Sequence, residues 1–321
     1  MVLLAVVAPR FDQNDLGPLD SITGTAEDGN LGDAVNYVRF VEVIRGDADD
    51  LPPAPFRYRP LTPVLAAPLP VGALTAINVV NVFALAMATA GLWWILSSIG
   101  ANERWRIIGC LLFIVSFPTF YYGTIGYVDP LAVALVMLGT GAALTDRRLL
   151  LLALLPLAAL ARESTVIVIP VAIVWLIARR DDRRTIVRWS LAWFAVFGVT
   201  ILAVRIGLQS SGTNVWEPSV DVAISNLSRP RTWVSAALTL GVPVAILAVK
   251  HRSVGSMPHE LQLVFGAGML LSIGVFAYAI VGAYADGRFL WPIYVYTVPA
   301  AVYLLAMPRI TESSAAAVPS G

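Results

Sequence analysis

Lysine is almost missing from this chain: Lys250 stands alone against twenty-one arginines. That bias fits a GC-rich coding sequence better than any particular function. Cysteine is as scarce. The single Cys110 lies inside an apolar run, which excludes a disulfide framework and a cysteine-based metal site. Only two histidines exist, His251 and His259, and both fall in one connecting segment, so histidine-dependent membrane acyl transfer fits poorly. Charge of either sign is sparse, at 13% of residues, where a soluble domain carries about 25%. No phosphate-cradling glycine loop, zinc-ligand spacing or basic nucleic-acid patch occurs. No cofactor is indicated, and nucleic acid is not an expected partner.

What the chain has instead is apolar length. Hydrophobic residues make up 58% of it, and its mean hydropathy is +0.75. A bilayer crossing needs about 20 apolar residues. Runs at 72–99, 105–122, 128–145, 149–161, 164–178, 189–208, 233–250, 260–284 and 288–307 predict an all-α integral membrane protein with about nine transmembrane helices. Pro118, Pro156, Pro170, Pro243 and Pro299 lie within these runs, where neighbouring helices can satisfy the freed carbonyls. Arg162-Glu163 joins the two shortest, which suggests a tight or broken hairpin.

The segments between runs alternate in charge. Arg104, Arg106, Arg147, Arg148, Arg179, Arg180, Arg183, Arg184, Arg188, Lys250, Arg252 and Arg309 collect on one side. The acidic 9–61 segment, Asp129, Glu163, Glu217, Asp221 and Asp286 fall on the other. The positive-inside rule makes the arginine-rich side cytoplasmic. The protein is therefore expected in the plasma membrane, with its acidic face outward and a disordered cytoplasmic tail at 308–321. With nine crossings the chain must begin outside. "MVLLAVVA" (1–8) is then either the outer end of a helix that starts earlier or a short interfacial stub. The remaining divisions are an outer segment at 9–71 and a transmembrane bundle at 72–307.

Within the outer segment, Ala34, Tyr37, Val38, Val41 and Ile44 recur at helical spacing. They predict an amphipathic helix over 33–45 lying along the outer interface. Asp33 at its start has two readings, a helix cap or a functional carboxylate. Further along, "PFRYRPLTP" (55–63) places Arg57 and Arg59 two residues apart among prolines that disfavour helix. An extended strand there would point both guanidiniums one way and Tyr58 the other. Asp129 in "GYVDPLA", Arg162 and Glu163 in "ARESTVIV", and Asp286 and Arg288 in "YADGRFLWP" stand at outer ends of spans. Charges at such depth face a cavity or a partner, and their convergence on one face favours a site over scattered snorkelling. Arg205 also lies near the outer end of its span. Asp47, Asp49 and Asp50 form an acidic cluster that reads as a solvated loop, with binding of a divalent cation as the alternative, and no metal site is indicated.

Arginines with tyrosines at an outer interface suit a lipid-linked phosphate, which guanidinium clamps in two-pronged fashion. A carboxylate beside them suits a base for an acceptor hydroxyl. "GDAVNYVRF", "PFRYRPLTPVLA", "GYVDPLAVALVMLG", "ALARESTVIVIP" and "ADGRFLWPIYV" resemble, in order from about residue 29 to 307, the multi-spanning GT-C glycosyltransferases. More narrowly, they look like bacterial members with an outer Asp-x-x-x-Tyr helix and an Arg-Tyr-x-Arg stretch.

The resemblance implies an inverting transferase that moves sugar from a polyprenyl-phosphate donor to a glycan, lipid or protein acceptor on the non-cytoplasmic face. It implies Asp33 as catalytic base and Arg57, Arg59 and Arg288 near the donor phosphate. Tyr37, Tyr58, Asp129, Arg162, Glu163 and Asp286 become further cavity candidates. The chain departs from the family pattern in its short first helix, in lacking a large soluble domain after the bundle, and in lacking an Asp-x-Asp pair at Asp33. A non-catalytic holder or flippase of lipid-linked sugars, or an O-antigen-type polymerase or ligase, is the competing reading. A transporter would show internal repeats, and none are visible.

Overall fold

The computed structural model describes residues 1–11, 32–209 and 217–306. The tail expected at 308–321 lies outside the described residues, as do 12–31 of the outer segment. Among the described residues the regular elements are helical and no strand forms. In chain order the α-helices are α1 Val2–Val7, α2 Ala34–Arg45, α3 Leu61–Ala66, α4 Ala73–Ser98, α5 Glu103–Ile114, α6 Phe117–Tyr122 and α7 Asp129–Leu144. They continue as α8 Arg148–Ala161, α9 Val168–Ala178, α10 Arg183–Gly207, α11 Val220–Ser228, α12 Pro230–Val249, α13 His259–Gly282 and α14 Tyr294–Ala306. Tight 3₁₀ turns at Glu163–Ile167 and Gly287–Ile293 lead into α9 and α14.

Five segments are long and apolar enough to cross a membrane: α4, α10, α12, α13 and the continuous run Gly287–Ala306. Asp129–Leu144, Arg148–Ala161 and Glu163–Ala178 are apolar but shorter. The run expected to cross at 105–122 is interrupted instead. α5 stops at Ile114, and Ser116 Oγ then accepts from the Thr119 amide to start α6, with Pro118 in its first turn. A serine cap followed by proline is a helix start written into the sequence. α1 packs against α6, with Val7 buried in the main core.

At the arginine-rich end, guanidiniums lie over indoles. Arg106 covers Trp93 at 4.7 Å, Arg147 covers Trp94 at 5.3 Å and Arg179 covers Trp175 at 5.7 Å. At the opposite end, buried amides in α4 fix the loop between α6 and α7. Asn78 Oδ1 accepts from the Gly126 amide at 2.8 Å, and Asn81 Nδ2 donates to the Tyr127 carbonyl at 2.7 Å. Gly126 has φ +85°, and a Cβ there would lie 2.9 Å from the Ala34 Cβ. Only glycine allows this turn to press against the start of α2.

The helix expected over 33–45 forms as Ala34–Arg45, but its apolar face is not turned toward lipid. Tyr37, Phe40 and Val41 are buried, and Tyr37 and Val41 join Phe56, Ala66, Ile77 and Val128 in a separate small core. The face was legible in the sequence except at Ile44, which is exposed, and its partner was not. The stretch 55–63 also differs from the extended strand expected of it. Phe56–Tyr58 is a 3₁₀ turn, and α3 starts directly after Pro60. Pro63 falls in the first turn of α3, where its missing N–H breaks no hydrogen bond.

Candidate functional site

Three separated segments meet at Arg59. The Tyr37 ring stands edge-on to Phe56 with centroids 5.6 Å apart, and its hydroxyl accepts from Arg59 Nη1 at 3.1 Å. Arg59 Nε donates to Glu163 Oε2 at 3.0 Å. Burial works against charge on Arg59, but Glu163 and Tyr37 outweigh it and hold the guanidinium protonated above its ordinary range. Burial likewise raises the Tyr37 phenol, with Arg59 partly opposing, so its hydroxyl stays neutral.

Beyond Glu163 the pairing continues. Arg162 makes an ion pair with Asp129, and Arg288 makes one with Asp33. Arg288 Nη1 also lies 4.0 Å from Asp129 Oδ2. The Phe289 ring stands against both Arg162, at 4.7 Å, and Arg288, at 5.1 Å, while Tyr127 stacks on Arg288 at 4.3 Å. Arginines and carboxylates thus alternate along a buried line, each charge set against an opposite one. Such pairs are costly to break, because removing one partner leaves the other buried and uncompensated.

The line borders a cavity of about 490 Å³. Arg59, Arg162, Glu163, Ser164 and Arg205 supply its polar wall. Ile167, Leu271, Gly274, Val275, Tyr278 and Phe289 supply an apolar one. Leu271, Gly274, Val275 and Tyr278 follow helical spacing, so one stripe of α13 faces the cavity. No atom lies within 4 Å of where a Gly274 Cβ would stand, which leaves that stripe open. Arg205 lies over the Tyr58 ring at 5.6 Å and makes no ion pair or hydrogen bond among the described residues. With Arg59, Arg162 and Arg288 balanced by Glu163, Asp129 and Asp33, the positive charge left over among the described residues of the cavity wall belongs to Arg205.

Of the candidates, the structure brings Arg59, Arg162 and Glu163 to the cavity wall, holds Tyr37, Asp129 and Arg288 one contact behind, and sets Asp33 one contact further back, on Arg288. Tyr58 serves as the platform for Arg205. Asp33 precedes α2 as expected, yet its side chain makes no cap hydrogen bond and turns to Arg288 instead. Arg57 leaves the site. Its guanidinium donates to the carbonyls of Leu51, Pro52 and Gln209 at 3.4, 2.8 and 3.0 Å, tying the loop to the end of α10. The 3₁₀ turn makes the difference, because it sends Arg57 and Arg59 in different directions.

Asp286 belongs to a neighbouring network. It accepts from Tyr122 and from Arg231 Nη2, the latter at 3.0 Å, and from the Arg288 amide at 3.4 Å. It thereby holds the turn that presents Arg288. Gly287 is pressed so tightly against α12 that a Cβ would stand 2.2 Å from the Ser235 carbonyl oxygen. Sequence reasoning did not assign Arg231, Ser164, Phe289 or Tyr278 to this region, and Arg205 carried only one signal, a lone cation near the end of an apolar span. Compared with protein-family models, curated proteins and solved structures, the chain matches none, so the chemistry of this site rests on its own residues.

Proposed function

We propose that this chain is an integral membrane glycosyltransferase that moves a sugar from a polyprenyl-phosphate donor to an acceptor hydroxyl. The observation that carries this reading is the cavity's two-sided wall. A guanidinium with no ion pair among the described residues, Arg205, stands in the same hollow as an open apolar stripe of α13. A lipid phosphate has that shape, an anionic head on a hydrocarbon tail, and guanidinium is the side chain best suited to the head. α10, which contributes Arg205, has only 11% of its apolar stretch buried, and Leu191, Val199, Leu202 and Ile206 are exposed along it. Hydrocarbon is the natural surrounding for such a surface.

In this reading the bundle lies in the plasma membrane with the cavity end outward and the arginine-rich end in the cytoplasm. The three shorter apolar helices bring the five long crossings to eight, and α5 with α6 supplies a broken ninth. Arg205 and Arg59 hold the phosphate, Arg288 stands behind Arg162 through Asp129, and the base is a carboxylate, with Asp33 and Glu163 as the candidates. The test is to reconstitute the full chain in lipid vesicles with labelled polyprenyl-phosphate hexoses and pentoses. Transfer that depends on Arg205 supports the reading. Absence of transfer from every donor refutes it.

A second reading, a holder or flippase of lipid-linked sugars, draws on one observation. Asp33, Asp129 and Glu163 are all engaged by arginines. A holder needs the cation and no base. It predicts binding of polyprenyl phosphate without transfer.

A further inference from the structure

Two carboxylates border the site, and they are placed differently. Asp33 does not line the cavity, and its Oδ2 is held by Arg288. Glu163 does line it, with its side chain 26% exposed. Its Oε2 is fixed by Arg59 Nε at 3.0 Å, while Oε1 has no partner among the described residues. Arg59 is itself oriented by the Tyr37 hydroxyl. A reactive group held by a second group, itself held by a third, is the arrangement that keeps a proton acceptor aimed. Across the same cavity, Arg205 pairs with no carboxylate among the described residues.

We infer that Glu163, rather than Asp33, takes the proton from the acceptor hydroxyl, and that Asp33 is a positioning residue acting through Arg288. The inference rests on the sugar-transfer reading above. In the step it describes, the acceptor O–H proton passes to Glu163 Oε1. The acceptor oxygen forms a bond to the sugar's anomeric carbon as the bond from that carbon to the phosphate oxygen breaks. The bonding pair leaves with the polyprenyl phosphate, whose charge grows by one unit beside Arg205. The new glycoside departs, and Glu163 releases its proton to water. Electrostatic support for the leaving phosphate and a fixed base then sit on facing walls of one cavity.

The test measures two quantities on the reconstituted full chain: binding of polyprenyl phosphate and the kinetics of sugar transfer. Glu163→Gln is expected to lower kcat by about 100-fold or more, with polyprenyl phosphate affinity changed by less than about threefold, a change worth under 1 kcal/mol. Glu163→Asp is expected to recover part of the lost kcat. Asp33→Asn is expected to raise the donor KM while keeping kcat within about tenfold of the parent, the pattern of a lost binding contact. A Glu163→Gln chain that transfers sugar as fast as the parent overturns the assignment and leaves the sugar-transfer reading standing. So does an Asp33→Asn chain that loses kcat where Glu163→Gln does not. Joint loss of binding and transfer in Glu163→Gln also overturns it, because the carboxylate then serves only the cavity's structure. If the parent binds polyprenyl phosphate and transfers no sugar, the sugar-transfer reading falls, and the base assignment with it.

Discussion

Asp286 shows what single residues do behind the cavity. Arg231 and Asp286 are buried at 1% and 2% exposure, and the Tyr122 hydroxyl donates to the same carboxylate. Arg231→Ala leaves that carboxylate without its cation and should destabilise the detergent-solubilised protein by about 3–5 kcal/mol, read as a fall in Tm. Replacing the pair together, Arg231→Met with Asp286→Leu, should cost much less, since neither charge is then stranded. Arg205→Gln is a different case. No carboxylate among the described residues pairs with it, so Tm should hold while polyprenyl phosphate binding weakens about tenfold, the loss of about 1.4 kcal/mol. An unchanged affinity would remove Arg205 from the site. The sequence identified Arg59, Arg162, Glu163 and Arg288 as residues at one end of the bundle. It did not reveal which carboxylate each arginine takes, because the partners come from distant parts of the chain, 104 residues apart for Arg59 and Glu163 and 255 for Arg288 and Asp33.

At the scale of elements, the site depends on contacts that position α2 and two tight turns. Gly126→Ala forces an alanine into a left-handed conformation and brings its methyl against Ala34. A cost of about 1–3 kcal/mol is expected, together with slower transfer, because α2 carries Tyr37 and follows Asp33. Full stability and activity would mean that the loop and α2 are not coupled. The periodic pattern of α2 predicted a helix correctly within one residue. What the pattern could not supply was the identity of its apolar partner, since lipid and a neighbouring protein surface select the same residues. The turn at Phe56–Tyr58 was harder to read. Prolines close together suggested an extended strand, but Pro60 and Pro63 occupy the start of α3, where proline is tolerated.

For the whole molecule, the apolar runs and the segregation of arginine were both legible before any coordinates. The interruption at 115–116 was not recognised, although its serine and proline signal is local. Membrane insertion is testable on α10. Val199, 65% exposed, lies near the middle of that helix, and Val199→Arg should add about 3 kcal/mol to its insertion cost, measurable with a glycosylation-site insertion reporter. No change would mean that this face does not meet lipid. Orientation can be read in a Cys110→Ala background. An impermeant maleimide should label Asp221→Cys in intact cells, and Arg252→Cys only after permeabilisation. The reverse pattern would turn the bundle over.

α10 combines two properties described separately above: it is the least buried of the long apolar helices, and it carries a cation that no carboxylate among the described residues satisfies. Thermodynamic linkage joins them. Any free energy an anion gains by engaging both Arg205 and the fixed Arg59 is also free energy holding α10 against the rest of the bundle, and the coupling is reciprocal. Occupancy should therefore slow hydrogen exchange across Arg183–Gly207 more than across the long helices already buried. Substitutions that loosen α10 far from Arg205 should weaken the ligand in proportion.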